Sequence, residues 1–305
     1  RFTKACNASD ISDMPCGWNL PNWLLRREFV AHLATLPSVT FRPGTGTKAL
    51  FTRDAEARVT LSDGSKVRCK LVSAADGRQS PMRQAAGIDV STTRFGQKAL
   101  AFAVTHPIPH DNISTEVHQD GGPFTLVPLP DHDGKPCSAV VWMSHGAEIT
   151  ALADLSDADF SAAATERSAH LYGPLTLASR RSTWPIVSQI ADRITGPRTA
   201  LVAEAAHVMP PIGAQGLNMS LKDLAALLNL AQAHRNDLGS QAMLDQYQRD
   251  RHTDIKLRVN GIDLLNRASI AGRPLMQDLR AFGIKALHDI KPIRTTLMQM
   301  GLGAR

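Results

Sequence analysis

Apolar and polar positions follow two different rhythms along this chain. Between residues 23 and 35 apolar side chains recur at Leu25, Phe29, Leu33 and, just beyond, Leu36, the spacing of one helical face. Asn22 stands at the N-cap position and Pro37 stops the run. The period then falls to two: residues 39–41, 48–53, 57–61 and 66–72 read as strands, with Ser62-Asp63-Gly64 as a hairpin turn. A second alternating block occupies residues 95–184, with strands at 99–104, 114–118, 124–127 and 138–143. One helix interrupts it, capped at Ser156 with Asp159 in the capping-box position and closed by Gly173. Beyond it a short apolar run, a Pro/Gly loop and two helical stretches at 217–234 and 241–268 complete the pattern. The mixture predicts an α/β (α+β) fold.

Two places carry candidate chemistry. The run Leu201-Val-Ala-Glu-Ala-Ala-His-Val-Met-Pro-Pro-Ile-Gly-Ala-Gln-Gly-Leu-Asn218 reads as a buried strand that delivers Glu204 to its end. Pro210 and Pro211 stiffen the turn, and Gly213 and Gly216 let backbone approach a ligand. The helix that follows begins with free amides and a partial positive charge, which suit an anion or an electron-rich ring oxygen. The run Lys70-Leu-Val-Ser-Ala-Ala-Asp-Gly-Arg-Gln-Ser-Pro-Met-Arg83 repeats the plan, with Asp76, Gly77 and Arg78 at the strand's end.

Together these segments resemble the FAD-dependent aromatic hydroxylases of the flavoprotein monooxygenase class. The first is similar to that family's second FAD motif, Gly-Asp-Ala-Ala-His followed by Pro-x-x-Gly-Gln-Gly-x-Asn, and the second to its Asp-Gly motif. Further stretches narrow the likeness to the ubiquinone-biosynthesis hydroxylases: Phe95-Gly-Gln-Lys-Ala-Leu100, Gly122-Pro-Phe-Thr-Leu-Val-Pro-Leu129, Val141-Trp142 and Leu244-x-x-Tyr247-x-x-x-Arg251-x-x-Asp254. The resemblance implies an FAD-binding Rossmann-like domain in residues 1–92 and 186–240, an interleaved β-rich substrate domain in 93–185, and C-terminal helices in 241–305. It implies FAD and NAD(P)H as cofactors, and an aromatic small-molecule substrate, prenylated if the ubiquinone likeness holds. It gives ribityl contact to Glu204, pyrophosphate and nicotinamide-cofactor contact to Asp76, Gly77 and Arg78, and the flavin-facing loop to Pro211, Gln215, Gly216, Leu217 and Asn218. Amides at Leu217 and Asn218 would face the ring's O2 side, and His207 would order the turn rather than transfer protons. No residue acts as a nucleophile, because the flavin carries the chemistry.

Departures from the family pattern are as informative. Glu204 stands where Asp is usual, and Ala214 and Ser220 stand where Gly is usual. The family opens with a Gly-x-Gly-x-x-Gly turn whose amides cradle the diphosphate, and these residues hold no such turn; Gly44-Thr-Gly46 reads as a turn between strands. The expectation is therefore a chain without its first βαβ unit, one that by itself holds no flavin and does not turn over.

Composition narrows the alternatives. A 43% hydrophobic content fills a core, and no apolar run reaches the length of a membrane span. Cys6, Cys16, Cys69 and Cys137 lie far apart without Cys-x-x-Cys spacing, which points to reduced cytoplasmic thiols rather than a metal or redox pair. Net charge is +6, too dispersed for nucleic acid, with no stacking aromatics between the cations. His106-Pro-Ile-Pro-His110 reads as a loop, since two prolines prevent a helix from aiming both imidazoles at a metal. From Arg273 to Arg305 basic residues accompany Leu275, Leu279, Phe282, Leu287, Ile290, Ile293 and Leu297 at roughly helical spacing. A terminal helical pair with a solvated basic face is the simpler reading; a peripheral seat at the inner face of an anionic membrane is the other. Three functions remain open: a polyprenylphenol hydroxylase, a flavin hydroxylase of a soluble aromatic, and a non-catalytic scaffold of a biosynthetic complex.

Overall fold

The computed structural model of the protein describes residues 17–119 and 121–270, together with 5, 7, 9, 13 and 15. The basic amphipathic pattern beyond Arg273, Cys6 and Cys16 lie outside the described residues. The chain divides into two compact units, with boundaries after Val39, Arg94, Ile186 and Leu264: residues 40–94 and 187–264 form one, the remainder the other.

In the unit of residues 40–94 and 187–264, Val72–Ala74 and Thr199–Leu201 pair in parallel, Ala74 opposite Leu201. Thr199, Ala200 and Leu201 are fully buried, as a parallel strand covered on both faces must be. Thr195–Gly196 joins them antiparallel. Beside this lies an antiparallel meander, Thr47–Thr52, Ala57–Leu61 and Lys66–Cys69. Its second turn is the expected hairpin: Gly64 takes φ +85°, and Asp63 accepts the Ser65 amide at 2.9 Å. The strand expected over 66–72 is instead two strands in two sheets. Gly239 packs where a Cβ would meet the Lys70 carbonyl at 2.4 Å, and the Val72 amide turns to the Arg198 carbonyl at 2.8 Å, so the chain leaves one sheet for the other at Lys70 and Leu71. Helices Gln215–Ala233 and Gln241–Ile270 cover the parallel pair, burying Met219, Leu227, Met243, Leu244 and Tyr247. The Tyr247 hydroxyl donates to the Leu201 carbonyl at 3.0 Å, and burial raises its pKa far enough to keep it neutral.

The other unit is built on long antiparallel strands, Val90–Thr105, Thr115–Gln119, Gly122–His132 and Lys135–His145. Leu100, Phe102 and Val104 share one face with Leu126, Val140 and Trp142, and Phe160 meets the Phe102 ring edge-on at 4.8 Å. Phe160 comes from Asp157–Arg167, whose cap is as expected: the Ser156 hydroxyl accepts the Asp159 amide at 3.1 Å. The helix ends at Arg167, well before Gly173, because Ala169 and His170 already take left-handed φ values of 57° and 58°. A helix at Gly146–Ala153 goes unsignalled in the sequence.

Three local expectations fail near the start. The helix runs over Asn22–Leu33 with Pro21 at the cap, and no side chain caps it. None of its residues is buried, and Phe29, expected on the inner face, is 61% exposed. Residues 39–41 form no strand.

Candidate functional site

All nine candidate cofactor residues fall in the unit of residues 40–94 and 187–264. Asp76 and Glu204 lie two and three residues beyond the matched pair Ala74 and Leu201, at the carboxyl ends of neighbouring parallel strands. That end of an open α/β sheet is where ligands bind.

The Asp76 turn is closed on itself. One carboxylate oxygen accepts the Ser80 hydroxyl at 2.5 Å, the other the Met82 amide at 2.9 Å, so Asp76 pins the start of the short helix Pro81–Ala85. Gly77 takes φ +84°, a conformation that a side chain would strain. The Arg78 carbonyl accepts from Arg83 at 3.1 Å, and a second Arg83 nitrogen donates to the Ala205 carbonyl at 2.9 Å. Arg83 is 4% exposed; burial lowers its pKa while the charge of Asp76 raises it. This guanidinium ties the Asp76 turn to the Glu204 turn, a role no motif announced. Its one signal was a cation beside Met82 on the apolar side of a helix start.

The Glu204 turn is held from beneath. Ala203 takes φ +54°, and its amide donates to Asp223 at 3.1 Å. Asp223 is fully buried and also accepts from His207 Nε2 at 2.7 Å and from Arg251 Nε at 2.9 Å. Arg251 pairs further with Asp254 at 2.7 Å, which accepts from Arg258 at 2.8 Å. Burial opposes both charges, yet their mutual hydrogen bonds prevail: the Arg251 pKa is raised and that of Asp254 lowered. His207 therefore anchors the turn through a buried carboxylate, as the sequence reading holds. Asp223 is the hub that reading missed; a lone Asp on the apolar side of a helix was its signal. Glu204 itself is exposed.

In the loop that follows, Gly213 and Ala214 both take left-handed backbone, φ 68° and 52°. Helix Gln215–Ala233 then begins with no side-chain cap and no acidic residue in its first turn. Gly216 and Leu217 are exposed, and their amides belong to the first turn, which has no acceptors within the helix. Asn218 sits one position deeper; its side chain reaches the Ala214 carbonyl at 3.5 Å. Gln215 bonds back to the Gly213 carbonyl at 2.9 Å, and Pro211 is exposed. A carboxylate able to accept hydroxyls, uncapped amides able to donate and an adjoining glycine turn fit the hydroxyls and ring oxygens of a flavin nucleotide.

The other constellations stay structural. His106 is buried against Tyr172, with its ring nitrogens bonded to the Ile108 carbonyl at 2.8 Å and the Ser138 hydroxyl at 2.9 Å. Among the described residues no cluster of His, Cys, Asp and Glu could hold a metal, and no helix is long and apolar enough to cross a membrane.

A parallel strand pair with acidic residues just past its carboxyl ends, followed along the chain by an uncapped helix start, is the arrangement at which α/β proteins bind nucleotide cofactors. More closely, residues 10–260 match the family model described as FAD binding domain, and the chain belongs to that family. It is similar to ubiquinone hydroxylase UbiL of Rhodospirillum rubrum, 32% identical over 293 residues that cover 95% of this chain and 67% of that protein. It is also similar to the 3-demethoxyubiquinol 3-hydroxylase of Escherichia coli, at 26% identity, covering 97% and 75%. Among solved structures, p-nitrophenol 4-monooxygenase PnpA of Pseudomonas putida superposes with a TM-score of 0.75 at 19% identity, covering 94% of this chain and 73% of that one. The chain spans between 57% and 75% of the length of such curated relatives.

Proposed function

We propose that this chain belongs to an FAD-dependent monooxygenase that hydroxylates an aromatic ring with NAD(P)H and O2, and that the ring belongs to a polyprenylphenol intermediate of ubiquinone biosynthesis. The observations that carry the flavin reading are the match of residues 10–260 to the FAD binding domain family and Glu204 standing exposed three residues past a buried parallel strand. The substrate reading rests on the names of the relatives, two of them hydroxylases of ubiquinone and demethoxyubiquinol.

Bound FAD supplies the redox chemistry, taking electrons from NAD(P)H and activating O2 toward an electron-rich ring. The chain's own work is binding and orientation. Glu204, exposed on the 3-10 turn Ala203–Ala205, accepts a ribityl hydroxyl. Gly216 and Leu217 offer first-turn amides, and the positive helix end stabilises negative charge on the reduced ring. Asn218 and Gln215 shape the loop, and Pro211 stiffens it. Gly77 and Arg78 bring backbone to the diphosphate and nicotinamide side, while Asp76 holds that turn from within.

The test is coupling. An FAD-loaded full-length homologue should oxidise NAD(P)H stoichiometrically with hydroxylation of a prenylated phenol, and should release hydrogen peroxide with a short carboxylated phenol. Tight coupling with the short phenol alone would move the assignment to a soluble aromatic. Failure of a full-length homologue to retain FAD at all would favour the scaffold reading.

A further inference from the structure

The meander of the unit that holds the site buries one face and turns the other to solvent. Ala57, Val59 and Leu61 point into the core. On the opposite face the register sets Phe51, Arg58 and Arg68 in one row across the three strands, with Lys66 beside Thr60 in a neighbouring row. Arg53 follows on the first strand's side, its guanidinium 5.4 Å from the centre of the Phe51 ring. Phe51 is 53% exposed, a large apolar side chain left in water among cations. One carboxylate, Glu56, sits between Arg58 and Arg68 at 2.7 Å from each. The Arg58 hydrogen bond holds its pKa low, so it stays ionised and satisfied. Among the described residues no ion pair holds Arg53 or Lys66. Residues 42–70 contain seven Lys and Arg against three Asp and Glu, a net charge of +4 out of the chain's +6, and Phe51 is their one aromatic residue.

We propose that this sheet face docks on an anionic bilayer, with Arg53, Arg58, Lys66 and Arg68 at headgroup phosphates and Phe51 at the interface. The proposal rests on the prenylated-substrate reading, because a polyprenyl tail keeps its phenol at a membrane. Charge complementarity commits the face to this occupant: a cation near an anionic leaflet gains attraction, and an aromatic ring favours the headgroup level. A single-stranded nucleic acid needs a series of stacking rings along its path, and this face offers one.

The test uses vesicle flotation of the chain, which needs neither flavin nor substrate, so its outcome is separate from that of the hydroxylase reading. Vesicles of phosphatidylcholine with phosphatidylglycerol should carry the protein upward at low salt; pure phosphatidylcholine should not, and 0.5 M salt should release it, given a Debye length of only about 3–10 Å between 1 and 0.1 M. Arg53→Gln with Lys66→Gln breaks no ion pair and should weaken binding on the order of 30-fold, at about fivefold for each cation. Phe51→Ala should weaken it further while leaving all charges in place. Arg235→Gln with Arg249→Gln removes equal charge from exposed positions elsewhere and should bind like the unaltered chain. Equal loss in that control, equal binding to neutral vesicles, no binding to anionic ones, or displacement of vesicles by a single-stranded oligonucleotide would each overturn the assignment.

Discussion

Asp76 and Glu204 occupy matching places at the ends of adjacent parallel strands, yet the structure uses them in opposite ways. Both oxygens of Asp76 are taken by its own turn, through the Ser80 hydroxyl and the Met82 amide. Both acids are exposed, but at Glu204 the neighbours do the holding: the Ala203 amide on Asp223 and the Ala205 carbonyl on Arg83. One acid builds a loop and the other is presented by one. Sequence similarity of the two motifs therefore hides a division of labour. A carboxylate whose two oxygens are each bonded within its own turn shapes backbone for a ligand, whereas one supported from behind keeps its oxygens for the ligand itself.

The strongest way to break this contrast is to remove the hub beneath Glu204. Asp223→Ala leaves Arg251 buried with part of its charge uncompensated and releases both Ala203 and His207, so unfolding stability should fall by about 3–5 kcal/mol. Chemical denaturation measures it. A loss under about 1 kcal/mol would mean that water replaces the carboxylate readily and that the turn is not held from this point.

The two acids themselves give the next effects. Glu204→Ala should leave the denaturation midpoint almost unmoved, since an exposed side chain away from packing changes stability by roughly 0.5 kcal/mol or less. In a full-length homologue it should weaken FAD binding by about 1.5–3 kcal/mol, the worth of a charge-assisted hydrogen bond. Glu204→Asp should retain most of the affinity. Asp76→Ala should show the reverse ordering, a stability loss of about 0.5–2 kcal/mol from its role at the helix start, with any fall in FAD affinity following from that loss. Titration of each variant with FAD beside its denaturation curve separates the two, and identical profiles for both acids would erase the distinction drawn between them.

Much of this was legible in the sequence because the informative signals were local. Alternation over residues 57–61, the Ser62-Asp63-Gly64 turn, the Ser156 cap and the two acidic strand ends each depend on a few neighbouring residues. What the sequence hid depends on partners far along the chain. The break at Lys70 is imposed by Gly239 and Arg198, and the Arg83 strut ends on Ala205, 122 residues away. The Asp223 hub gathers Ala203, His207 and Arg251. A helical periodicity likewise placed Phe29 on an inner face, but periodicity reports which residues share a side of a helix and not whether anything covers that side.

The smallest expected effect sharpens the comparison at the flavin loop, where an alanine does what a glycine does in the other turn. Gly77 meets φ +84° without a Cβ, but Ala214 holds φ +52° directly before an uncapped helix. A left-handed residue with a Cβ costs roughly 1–2 kcal/mol, and glycine's greater freedom in the unfolded chain returns about 0.4–1 kcal/mol of that. Ala214→Gly should therefore stabilise the protein slightly, by about 0–1.6 kcal/mol, a rise in melting temperature of a few degrees or less for a chain of this size. It should also leave the first-turn amides of Gly216 and Leu217 as accessible as before, so FAD affinity should hold or improve. A clear drop in stability would show that the alanine methyl packs against something that outweighs its backbone strain, and that the left-handed step at this loop is supported by its surroundings as firmly as Ala203 is by Asp223.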